Sequence, residues 1–196
     1  MKKRKYLLAA IALLLIFGIG STIAYLTDTD AKTNTFTIGA VDITLTEPAW
    51  VAANGENLVP GQTVAKDPTI NNVSTKNDAY VYIKVEAPCT TTSTPREIFN
   101  YTVNSGWTEL TSEAVACTSG KATKVYYYGG TNLTVLTKGS STPALFSNVT
   151  LVNDLTNAEI TNLGSTAKDM IITGYGIQKD GLASTTPSAV WGYLNQ

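Results

Sequence analysis

Apolar and polar residues alternate over several short stretches of this 196-residue chain, most clearly over Ala79–Val85. Ala79, Val81, Ile83 and Val85 share one face there, and Tyr80, Tyr82 and Lys84 the other, which is the period of a β-strand. Tyrosines on the second face predict that it is only partly wet, or that it touches a partner. Alternation also runs through Phe36–Ile38 and again through Val41–Leu45. Its phase slips at Gly39-Ala40, as it would at a bulge or bend between two half-buried pieces.

Gln62–Ile70 is expected as a second strand ending at Asn71-Asn72, and Ile98–Val103, Trp107–Leu110 and Lys124–Tyr128 as later ones. Gly129-Gly130 separates the last of these from Leu133–Thr137, a hairpin signal, although Thr131-Asn132 leaves the loop type open. Ala144–Leu151 brings the total to about eight candidate strands, enough for two sheets facing one core. Met170–Ile177 adds a long strand buried on parts of both faces. Turn residues stand at Asn54-Gly55, Pro60-Gly61, Asn104-Ser105-Gly106 and Thr118-Ser119-Gly120.

Two segments change to a helical pattern. Thr156 and Glu159 have capping-box spacing, with Gly164 as the stop after Leu163. Thr186 caps a second helix, with Pro187 at its first position and Ala189, Val190 and Leu194 along one side. The fold class is therefore all-β: an antiparallel two-sheet sandwich, jelly-roll-like, with one or two short helices. Ile43, Val81, Ile83, Ile172 and Ile177 are expected in its core.

The first residues break this pattern. Lys2, Lys3, Arg4 and Lys5 precede an almost wholly apolar run, Leu7–Ile19, and small residues follow at Gly20, Ser21, Thr22 and Ala24. This is the layout of a secretory signal peptide over residues 1–24, cut between Ala24 and Tyr25. An uncleaved membrane anchor is the alternative, since Tyr6–Ala24 approaches the ~20 residues of a spanning helix. Either way the basic end stays inside and the remainder is exported. Cleavage leaves residues 25–196 as one domain, with ten basic against fifteen acidic residues and a formal charge of −5. That balance suits a secreted exterior protein, in an extracellular matrix or at a cell surface, and argues against a nucleic-acid partner. Contact with the membrane is then confined to the precursor's signal segment.

Cys89 and Cys117 are the two cysteines. A disulfide is the default expectation in an exported chain, with two free thiols as the alternative. Histidine is absent, which removes Ser-His-Asp and Cys-His catalysis and the HExxH zinc helix together. No phosphate-cradling glycine loop or EF-hand pattern occurs either. Paired acids at Asp28 and Asp30, or at Asp42 and Glu47, would need to converge before they could bind calcium or cleave a glycoside. Surface charge is the simpler account of them. No catalytic residue, cofactor or metal site is therefore expected. The aromatic residues Trp50, Trp107, Trp191, Tyr80, Tyr82 and Tyr126–Tyr128 suit a sugar-binding or subunit surface, or simply a core. Asn72, Asn132 and Asn148 begin N-glycosylation triplets.

Several segments, taken together, resemble the camelysin/TasA family of exported Gram-positive bacterial proteins. At the start these are Ala24, Tyr25, Asp28 and Asp30 at the presumed cut, Asn34-Thr35-Phe36, and Gly39, Val41 and Asp42. Pro60-Gly61 and Asn77–Val85 follow, and Tyr175, Gln178, Gly181 and Trp191 match the family's closing strand and helix. The resemblance implies processing by a dedicated signal peptidase of the SipW type, a jelly-roll-like sandwich, and a subunit of extracellular or biofilm-matrix fibres. Its partners would be copies of itself. The same family includes proteins described as metalloproteases, a label that a chain without histidine does not inherit on chemistry. On this reading Tyr25–Thr37 is a donor strand, whose Phe36 and Ile38 seat in a neighbouring subunit. A monomeric carbohydrate- or surface-binding module is the alternative.

Overall fold

A computed structural model describes residues 41–90, 92–162 and 169–195. The signal peptide, the junction at Ala24 and Tyr25, and the assembly strand with Phe36 and Ile38 lie outside the described residues, as does the stop at Gly164. Among the described residues no helix is long and apolar enough to cross a membrane.

Among the described residues, ten strands form three antiparallel sheets. The largest has the order β10–β4–β8–β6, built from Ile171–Gln178, Ala79–Pro88, Lys121–Tyr128 and Trp107–Glu109. β7, Val115–Thr118, pairs with the beginning of β8 beside β6. Facing it are the pair β1–β3, Ile43–Thr46 with Thr69–Asn72, and the trio β2–β9–β5, Thr63–Ala65, Asn148–Leu151 and Phe99–Asn100. One core joins these layers. Val81, Ile83 and Val85 of β4 and Tyr126 of β8 meet Ile70 of β3, Val64 of β2 and Val149 of β9 there. The arrangement is thus sandwich-like, with the second layer divided into two small sheets.

The other face of the large sheet is also dry, and this accounts for its tyrosines. Tyr82 and Tyr127 share a second cluster with Val190 and Trp191 of α2, Pro187–Leu194. Tyr82 is fully buried and donates its hydroxyl to the Pro187 carbonyl at 2.8 Å. Thr186 precedes this helix without a side-chain cap bond, so Pro187 and the packed face set its start. The other described α-helix, α1, spans Asn157–Asn162 and has the expected box: Glu159 accepts the Thr156 N–H at 2.8 Å and returns its own N–H to the Thr156 hydroxyl at 3.2 Å.

Four expectations change. Gln62–Ile70 is two strands in different sheets, because Pro68 lacks the N–H that a continuous ladder requires. Leu133–Thr137 forms only isolated bridges, Leu133 to Gly129 and Leu136 to Ala79, instead of a hairpin strand. Gly129 turns the chain sharply at φ +146°, where a side chain would strike the Asn132 carbonyl. Ile177 packs on the helix side of the sheet, not in the core shared by the layers. Finally, β7 had no sequence signal.

Candidate functional site

β10 is a sheet edge of uncommon composition. Its eight residues, IITGYGIQ, include no charge and no proline, the usual devices that keep an edge from pairing with another chain. One side pairs with β4 along its whole length, from Ile171 opposite Glu86 to Gln178 opposite Ala79. The other side carries no ladder among the described residues. Ile171, at its beginning, is 41 % exposed.

Two glycines shape the inner face of this strand. A Cβ on Gly176 would stand 2.9 Å from Ile43 Cγ2, and one on Gly174 would touch Leu45 and Ile70. They let β1 cross close over β10, face to face and without hydrogen bonding between the two. Val41, the first described residue, packs into the same place. Immediately upstream of it lies the expected assembly strand.

The other candidates are dispersed. Trp107 is buried, donates its indole N–H to the Pro143 carbonyl at 2.9 Å, and packs on Tyr128. Tyr126 lies in the sandwich core, whereas Tyr127 points to the helix side. Trp50 lies under the Lys66 ammonium at 4.5 Å, and Lys66 holds both carboxylate oxygens of Glu47 at 2.8 Å. These rings do not line one groove; they hold the layers together. The Glu47 carboxylate is tied to Lys66, while Asp42 is exposed and bonds Ser74 through its backbone. Asp28 and Asp30 lie outside the described residues.

Asn72 is 1 % exposed and donates its amide to the Asn77 and Leu136 carbonyls, so the first glycosylation triplet is closed once folded. Asn132 and Asn148 are exposed. Cys89 and Cys117 form a disulfide with Cα atoms 5.8 Å apart.

Tyr101 and Tyr126 share a hydroxyl–hydroxyl bond of 3.1 Å within the fold. Burial raises both phenols, Tyr126 to about 12 and Tyr101 beyond the usual tyrosine range. An unfolded chain releases these protons near pH 10, while the folded one retains them. Stability should therefore hold up to about pH 10 and fall as the pH rises toward 12. Urea melts at pH 9 and pH 11, with phenolate absorbance recorded in parallel, test this; equal midpoints would contradict it.

Residues 4–97 match the family model described as camelysin metallo-endopeptidase. No curated relative and no solved structure matches the chain. The description implies a metal, and the described residues do not fit one. The chain lacks histidine, both cysteines are tied in the disulfide, and among the described residues no three acidic or sulfur side chains converge.

Proposed function

Starting from a chain that is camelysin-like over residues 4–97, we propose that the protein is a structural subunit of extracellular fibres. It is exported by its N-terminal signal peptide and assembles head to tail. Release at Ala24 frees Tyr25–Thr37, acidic and Thr-rich ahead of Phe36, together with the adjoining Ile38. That segment adds as a strand to a neighbouring copy. Its backbone supplies the hydrogen bonds, and Phe36 and Ile38, two apart on one face, supply register.

The observation that carries this reading is β10: an eight-residue edge without charge or proline, open on one side among the described residues. A contact between an N-terminal strand and a distant edge is not self-complementary, so it propagates as a filament instead of closing as a dimer. Before cleavage the membrane holds the same segment, which delays growth until export. The metallo-endopeptidase description favours an enzyme, and among the described residues no donor set supports that reading.

Electron microscopy of two proteins tests the proposal, one beginning at Tyr25 and one at Ala40. Filaments are expected from the first alone, with circular dichroism showing both folded. Equal filaments from both would exclude strand donation by residues 25–39.

A further inference from the structure

A second site lies on the outer face of the β2–β9–β5 sheet, away from the β10 edge. Register places Thr63 and Asn100 on either side of Thr150, and Asn148 lies two residues along on the same face. β5 ends at Asn100, and the chain then leaves β9 until Asn104 returns, its N–H donated to the Leu145 carbonyl at 2.8 Å. The gap between these two points is a cavity of about 420 Å³, lined by Asn100, Thr102, Asn104, Ser147, Asn148 and Thr150, with Tyr101 as its one aromatic contribution.

Every one of these side chains is neutral. The Asn104 amide is fixed by two bonds it donates, to the Ala144 carbonyl at 3.0 Å and the Ser147 hydroxyl at 3.1 Å, which leaves its carbonyl oxygen as an acceptor. Thr150 is held by the Thr63 hydroxyl at 2.8 Å. Asn100, Thr102 and Asn148 make no side-chain hydrogen bond within the described residues. The cavity thus combines an oriented, preset part with free amides and a free hydroxyl. Its size falls within the roughly 300–1,000 Å³ common for ligand sites.

We propose that this cavity binds a neutral glycan chain. An ionic ligand would find no countercharge in the lining, and a purely apolar one would leave several amides and hydroxyls unpaired. Sugar hydroxyls both donate and accept, as do the asparagine amides and threonine hydroxyls here. The site needs neither the β10 edge nor fibre formation, so a monomeric protein would have it equally.

Titration of the ¹⁵N-labelled protein with neutral β-glucan and N-acetylglucosamine hexasaccharides, and with polygalacturonate as an anionic control, tests this. The side-chain amide signals of Asn100, Asn104 and Asn148 are expected to move with a neutral probe. Asn100→Ala and Asn148→Ala should each weaken binding about three- to tenfold, as loss of one hydrogen bond does. Both positions are exposed, so the variants should fold normally by circular dichroism. Failure of every neutral probe to move these signals would overturn the proposal. So would unchanged affinity in both variants, or tighter binding of polygalacturonate.

Discussion

Trp191→Ala is expected to lower stability by about 3–5 kcal/mol, as removal of a large buried aromatic side chain does. Trp191 is 6 % exposed, and its ring centroid lies 5.3 Å from that of Tyr82 and 5.0 Å from that of Tyr175. Its indole N–H reaches Glu113 at 3.1 Å, so the substitution also leaves that carboxylate without this partner. The eight-residue helix that carries it is far below the ~12–15 residues at which an isolated helix becomes even marginal in water. Packing through Val190 and Trp191 therefore holds it in place. Truncation should detach the helix and wet the face around Tyr82, while the sandwich core keeps its packing. Urea denaturation gives the energy and near-ultraviolet circular dichroism the loss of tyrosine order. A cost below about 1 kcal/mol, the range of a surface substitution, would mean that α2 is not what keeps this face dry.

Removing the disulfide should cost a similar amount, about 3–4 kcal/mol, by freeing the unfolded chain from a closed loop. Cys89 and Cys117 are 28 residues apart. Cys89 directly follows β4, and Cys117 lies in β7, which meets β8 only through Val115 and Thr118 with a shift in register between them. The link therefore fastens the least secured strand of the large sheet to its central one. Cys89→Ala/Cys117→Ala should speed amide hydrogen exchange at core positions such as Val81 and Ile83 in line with the lower global stability, with a further gain over Val115–Thr118, where the link fastens β7. Core gains without any excess over Val115–Thr118 would mean that the loss acts wholly through the unfolded chain. An unchanged midpoint in urea would contradict the predicted stabilisation itself.

Local patterns announced most of the strands but not their companions. Ala79–Val85 was legible because its two faces differ in chemistry, and the tyrosines correctly marked the second face as not fully wet. What covers that face is a helix about a hundred residues later, and no local pattern carries such information. Pro68 was visible within Gln62–Ile70. The regular apolar positions on either side nevertheless suggested one strand, where the missing N–H makes two. β7 was silent because Val115 is exposed and Ala116 small, so the stretch has no apolar face to reveal it. The family resemblance was carried by the ends of the chain, and the match over residues 4–97 accounts for the first of them. The neutral cavity was illegible for the opposite reason. Asn, Thr and Ser are common in turns, and only the register of β2, β9 and β5 assembles them on one surface.

The close crossing of β1 over Gly174 and Gly176 also decides how the molecule would carry force. Were the chain pulled at Val41, the load would pass into a strand that pairs with β3 over four residues. The disulfide ties the end of β4 to β7, both in the large sheet, and takes no part in that load path. On that path β1 would be the first strand to yield. Under strain it would peel off the two glycines and lengthen the chain while the large sheet, stapled and covered on both faces, stays intact. On release Ile43 and Leu45 have smooth, side-chain-free ground to slide back onto, so the extension would be recoverable.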